Sequence, residues 1–179
     1  MRRDVLVVDD DLDLRDLVVK MLESDGYSTW TAGSGLEALA FLEHRTVDAI
    51  LLDMEMPLMD GLEACRRIKA EVRLRSIPVI FLTGLRDAET LVRAFDAGAC
   101  DYLGKPFDRR ELLVRLGTHV TLARLSQENE RLLLNILPAP IAARLVQGER
   151  TIADRMDDVS VLFADLVGFT ELATLKSPV

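Results

Sequence analysis

The chain has 179 residues, 49% hydrophobic and 29% charged, with 22 Lys and Arg against 30 Asp and Glu for a net charge of −8. That length allows one domain, or one and a remainder, and that composition excludes a disordered chain. The acidic balance excludes a nonspecific polyanion binder, which needs surplus Lys and Arg, so no nucleic acid is expected as a partner.

In chain order, Val5–Val8 is an apolar run ended by Asp9-Asp10-Asp11, and helical spacing follows from Leu12 to Leu22 and stops at Gly26. Tyr27–Ala32 predicts a strand, and 34–43 a helix with Ser34 as N-cap. Ala49–Leu52 predicts a strand ending at Asp53, and Leu62–Glu71 a helix. Pro78–Leu82 predicts a strand ending at Thr83, and Ala88–Ala97 a helix closed by Gly98. Tyr102-Leu103 is a short strand before Lys105-Pro106 and a long helix from Asp108 to Leu137. Five strand-then-helix units with continuous apolar strands predict an α/β fold with a doubly wound parallel sheet. Ligands in such sheets bind beyond the carboxyl ends of the strands.

The long helix changes register partway along. Leu122, Leu125, Leu132 and Ile136 recur at spacings of three, seven and four with Asn129 in the gap. That is an a/d seam with one polar a position, which predicts a parallel two-stranded coiled coil. Pro138 and Pro140 stop the helix, a short helix over Ile141–Val146 ends at Gly148, and a last apolar strand, Val159–Ala164, stops at Asp165. Cys65 and Cys100 form no CxxC pair, and no apolar run approaches the ~18–20 residues of a membrane span. The N-terminus is no signal peptide. A cytoplasmic chain with no membrane partner is expected.

The strand ends carry the chemistry: Asp9 and Asp10, then Asp53, then Thr83, with Lys105 after the fifth strand. Three carboxylates brought together repel one another and call for a cation, and an all-oxygen set suits Mg²⁺. An aspartate can attack phosphorus to form an acyl phosphate, with a hydroxyl and an ammonium at hand for the phosphoryl oxygens.

These residues stand in the motifs Val-Val-Asp9-Asp10, Leu-Leu-Asp53-Met-Glu-Met-Pro57-Leu-Met-Asp60-Gly61, Phe-Leu-Thr83-Gly and Asp101-Tyr102-Leu103-Gly-Lys105-Pro106-Phe107. Over about residues 1–120 the sequence resembles the receiver domain of bacterial two-component response regulators. The resemblance implies a five-stranded sheet in order 2-1-3-4-5 and Asp53 as phosphoacceptor, charged from a phosphohistidine on a sensor histidine kinase. It implies Mg²⁺ on Asp10, Asp53 and the backbone carbonyl of Glu55, with Asp9 acting through water. Thr83 and Tyr102 would be a switch pair, Lys105 a partner of the phosphoryl oxygens, and Lys105-Pro106 a cis peptide. The output face would be roughly Ala88 to Leu116.

The tail, Leu134-Asn-Ile-Leu-Pro138, Ile141-Ala-Ala-Arg-Leu145 and Val159-Ser-Val-Leu-Phe163-Ala-Asp165-Leu-Val-Gly168-Phe169-Thr170, resembles the entry into a class III nucleotide (adenylate/guanylate) cyclase domain. That resemblance implies Asp165 and the backbone carbonyl of Leu166 as metal ligands, and a nucleoside triphosphate bound only by a whole cyclase. Fourteen residues follow Asp165, so no cyclase activity is expected of this stretch alone. The resulting layout is a receiver over 1–120, a transmitter helix over 108–137, a linker over 138–157 and the start of a cyclase over 158–179. The transmitter would join two copies in a parallel homodimer through residues 115–137.

Three rival readings follow from the same residues. Asp9-Asp10-Asp11 contains the Asp-x-Asp of haloacid-dehalogenase phosphatases, which would make Asp9 the nucleophile, although Leu12-Asp13 stand where Gly-Thr is expected. Gly33-Ser-Gly35-Leu-Glu-Ala38 fits a dinucleotide fingerprint, but after the second strand rather than the first. The chain could also be a stand-alone dimeric receiver. His44 and His119 are expected to have no partner, and Trp30 to be a packing residue.

Overall fold

The computed structural model describes residues 3–84, 88–146, 148–149, 151–153 and 160. The chain divides into two compact units, Met1–Ile136 and Leu137–Val179.

The first unit alternates strand and helix throughout: β1 (Asp4–Val8), α1 (Leu12–Glu23), β2 (Ser28–Ala32), α2 (Gly35–His44), β3 (Ala49–Asp53), α3 (Gly61–Ala70), β4 (Val79–Thr83), α4 (Ala88–Asp96), β5 (Asp101–Gly104) and α5 (Arg109–Ile136). All strand pairs are parallel, in the order β2-β1-β3-β4-β5, as the apolar runs predict. β3 and β4 are buried at every position, because helices cover both faces. Side chains alternate between two cores. Leu6, Val8, Ile50, Leu52 and Phe81 pack on one face with Leu42, Cys65 and Ile68. Val5, Val7, Leu51, Ile80 and Leu82 pack on the other with Val18, Leu22, Leu112 and Leu116. Each of these large side chains contributes roughly 1.5–3 kcal/mol by leaving water.

Element ends differ from the sequence expectation by one or two residues, and at the starts of α3 and α5 side-chain caps account for it. Asp108 lies outside α5 and accepts the Glu111 N–H at 2.9 Å, so the helix starts at Arg109. Asp60 caps α3 in the same way, accepting from Glu63 at 2.7 Å, and Asp11 caps α1. Ser34 caps α2 through the Glu37 N–H, so the Gly33–Ala38 stretch serves as a helix start. Gly98 turns the chain from α4 into β5 at φ +95°, with the Lys69 stem beneath it.

In the second unit α6 spans Ala139–Val146, two residues earlier than expected, and the Pro138 carbonyl accepts from Ile141 and Ala142. Pro140 falls in its first turn, where its missing N–H leaves no bond unmade. The predicted strand Val159–Ala164, together with Asp165 and Leu166, lies outside the described residues. Among the described residues no helix is long and apolar enough to cross a membrane.

Two side-chain placements depart from expectation or refine it. Trp30 stacks on Phe41 at 5.5 Å, and the Arg45 guanidinium lies 4.3 Å from its ring centroid, so its packing includes a cation. His119, expected to stand alone, has Nε2 3.1 Å from the Asp101 carboxylate.

Cys65 and Cys100 are both free, their thiols directed at the carbonyls of Ala97 and Val79. Burial pushes each thiol up to about 11. Because the thiolate is the nucleophile, the native thiols should alkylate about a hundredfold more slowly at pH 8 than in the urea-unfolded chain, whose thiols keep ordinary values. The check is the rate of iodoacetamide labelling in the two states. The same shift makes stability fall as pH rises from the ordinary thiol range toward about 11, since the unfolded chain ionises first.

Candidate functional site

Parallel strands end on one edge of the sheet, and that edge gathers the predicted side chains. Asp9 follows β1, Asp53 closes β3, Thr83 closes β4, and Lys105 follows β5. Asp9 is 1% exposed and Asp53 5%, while Asp10 is exposed. One carboxylate oxygen from each of the three lies within 4.8 Å of the others. Lys105 Nζ sits between two of them, 2.9 Å from Asp9 Oδ2 and 2.9 Å from Asp53 Oδ1. The other Asp9 oxygen accepts the Asp11 N–H at 2.9 Å, so both oxygens of Asp9 are engaged.

Burial sets the electrostatics of the pair. It pushes the Asp53 carboxyl up, and the Lys105 ammonium and the Glu55 N–H pull it only part of the way back. Burial also pulls the Lys105 ammonium down, but its hydrogen bonds to Asp53 and Asp9 outweigh that and raise it. The short contacts to both carboxylates favour a charged Lys105, with the remaining negative charge available to a cation.

Thr83 is fully buried, and its hydroxyl lies 3.8 Å from Met54 Sδ. The Lys105 N–H donates to the Thr83 carbonyl at 2.7 Å, tying the end of β4 to the loop after β5. Tyr102 is half-buried, its ring edge-on to Phe95 of α4 at 6.3 Å. Lys105-Pro106 is cis. Glu55 is exposed beside the site. The structure therefore brings Asp9, Asp10, Asp53 and Lys105 together, and places Thr83 at the neighbouring strand end and Tyr102 on the α4 side.

Two further residues fix the elements that carry the site. Asp101, at the start of β5, accepts from Arg115 Nη1 on both carboxylate oxygens, at 3.1 and 3.0 Å, and makes the His119 contact as well, which fastens β5 to α5. Gly61, at the start of α3, packs directly against the Asp53 backbone. The quoted motifs contain both Asp101 and Gly61, but nothing in their spacing shows these contacts.

Comparison with known proteins decides the family. The model of the response regulator receiver domain matches residues 5–117. The chain belongs to that family. The DNA-binding dual master transcriptional regulator RpaA of Synechocystis is 39% identical over 112 residues, an alignment covering 63% of this chain and 46% of RpaA. The response regulator MprA of Mycobacterium sp. strain KMS is 35% identical over 154 residues, covering 83% of this chain and 65% of MprA. The chain thus spans about half to two thirds of the length of these relatives. Among solved structures, the Vibrio cholerae chemotaxis protein CheY4 superposes with a TM-score of 0.64 at 32% identity, covering 66% of this chain and 98% of that one. The receiver domain of a Pseudomonas aeruginosa sensor histidine kinase, solved with magnesium in its active-site cleft, superposes with a TM-score of 0.64 at 33% identity, covering 68% of this chain and 99% of that one. The five-stranded receiver fold is therefore shown both by topology and by comparison.

Proposed function

We propose that this receiver takes a phosphoryl group onto Asp53 from a phosphohistidine of a sensor histidine kinase. The observation that carries the reading is Lys105 Nζ at 2.9 Å from both Asp9 and Asp53, with Asp10 completing a carboxylate cluster at the strand ends. In the transfer an Asp53 oxygen forms the new bond to phosphorus, the P–N bond breaks, and its electron pair stays on the imidazole nitrogen. Lys105 lies where its ammonium can pair with the phosphoryl oxygens, and Thr83 can turn its hydroxyl from Met54 toward them.

The all-oxygen donor set fits Mg²⁺: Asp10, Asp53 and the backbone carbonyl of Glu55 would hold it, with Asp9 through water. Bound there, the ion would offset the clustered carboxylates and the phosphoryl charge. Tyr102, next to Asp101, would pair with Thr83 and carry the change to α5 through Arg115 and His119.

The output is read from the tail. Phe163-Ala-Asp165-Leu166-Val-Gly168-Phe169-Thr170 supports a class III cyclase, with Asp165 and the Leu166 carbonyl as metal ligands and α5 joining two copies in parallel through residues 115–137. The DNA-binding description of RpaA supports a second reading, a transcriptional output. Cyclic nucleotide formation in the source cell that depends on Asp53 separates the two.

The test of the receiver reading is labelling by a small phosphodonor with Mg²⁺. The wild type should take up label as an acid-stable, hydroxylamine-labile acyl phosphate, and Asp53→Ala should take up none. Label that persists in Asp53→Ala, or that maps to Asp9, overturns the assignment.

A further inference from the structure

α5 serves two surfaces at once, and their angular positions decide how they interact. Leu112, Leu116 and Val120 are buried against the receiver, and two turns further on Gln127 reaches Ser76 at 3.4 Å. On the same helix Leu122, Leu125, Leu132 and Ile136 are 56%, 63%, 51% and 81% exposed. At about 100° per residue the first set clusters around one direction, and the seam residues with Asn129 cluster on nearly the opposite side. The exposed side runs back as far as Val114 and Thr118, alongside the body of the receiver.

A second copy of this chain is the occupant that suits this face. The seam repeats at heptad spacing with a polar residue at one a position, a pattern that complements itself in parallel register. Covering these side chains on two copies removes on the order of 1,000 Å² from water, about the area at which a specific interface becomes stable.

We infer that the dimer is constitutive, the two copies staying joined through α5 whether or not Asp53 is phosphorylated. The inference rests on the reading of residues 115–137 as a dimer seam. Leu112, Leu116 and Val120 hold α5 from the opposite side, and Arg115 lies seven residues before Leu122, so a shift of Tyr102, Asp101 or Arg115 reaches the helix without covering or uncovering the seam. Phosphorylation then changes how the paired helices are seated, not whether they pair. Linkage requires the converse as well: the extent of phosphorylation should not depend on protein concentration.

Sedimentation of the 179-residue chain with Mg²⁺, with and without beryllofluoride as phosphoryl mimic, tests this against a Leu125→Lys/Leu132→Lys variant. Both sites are exposed, so the variant keeps its core, and circular dichroism checks that. The expected result is a wild-type dimer whose dissociation constant changes less than about threefold with the mimic, and a monomeric variant in both conditions. A wild type that dimerises only with the mimic, while the variant stays monomeric, overturns constitutive pairing and leaves the seam standing. A wild type that is monomeric throughout, or a variant that still dimerises, overturns the seam reading and the inference with it.

Discussion

Replacing Gly61 with Ala should unseat the phosphoacceptor without touching its side chain. A Cβ at position 61 would lie 2.1 Å from the Asp53 carbonyl oxygen, 2.9 Å from Met54 Cα and 3.0 Å from the Asp53 carbonyl carbon. All three are backbone atoms at or just past the end of the strand that carries the site, so no side chain can rotate out of the way. Gly61 also donates its N–H to the Met54 carbonyl at 3.0 Å, which fixes the start of α3 against the end of β3. Overpacking of this kind costs about 3 kcal/mol. In a domain of this size that lowers the melting temperature by about 10 °C. An ångström of displacement at Asp53 should also slow phosphorylation on the order of a hundredfold. Gly35→Ala is the control, because the same addition there meets only the side chains of Ala64 and Met59 at 3.1 Å, and the methionine can move. Thermal unfolding and labelling rate should fall together for Gly61→Ala and stay near wild type for Gly35→Ala. A Gly61→Ala protein that labels normally would mean that Asp53 is not held by this contact.

Lys105→Met should be the most damaging change that leaves the carboxylates in place. It removes the ammonium between Asp9, 1% exposed, and Asp53, 7% exposed at its side chain, and leaves two near-buried acids facing each other. Breaking a buried pair by removing one partner costs about 3 kcal/mol. The expected result is an unfolding midpoint in urea well below wild type when divalent cations are chelated. Adding Asp9→Asn to Lys105→Met should restore most of the stability, because one of the stranded charges is gone. Phosphorylation should not return in the double variant, since the ammonium that pairs with the phosphoryl oxygens is still missing. A double variant that labels at the wild-type rate would assign Lys105 a structural role alone.

Much of this was legible in the residues. Continuous apolar runs such as Val5–Val8 and Ile50–Leu52 predict buried parallel strands, and the polar residues that end them predict where the site lies. Element boundaries were less legible, because Asp60 and Asp108 act as caps and a cap is fixed by hydrogen bonds rather than by periodicity. Longer-range pairings were not legible at all. The His119–Asp101 contact spans eighteen residues and depends on the phase of α5 against the register of β5. The Arg73 reach to the Leu42 carbonyl spans thirty-one. Gly61 stood within a quoted motif, yet its close approach to Asp53 is a property of how α3 meets β3. The seam on α5 was visible as spacing, whereas its position opposite the receiver required the packing of Val120.

Two receivers tethered through paired α5 helices, as proposed, would meet at an effective concentration in the millimolar range, where any exposed strand edge would be drawn into pairing. The order β2-β1-β3-β4-β5 leaves β2 and β5 at the margins, five and four residues long. β2 carries Trp30 with Arg45 laid over its ring, and β5 begins with a carboxylate already bound to an arginine and a histidine. Short strands with a cation or a charge at the margin are poor templates for another chain. In the proposed dimer the sheet would thus be held beside its own copy without growing into it, leaving the helix as the route by which one receiver would influence the other.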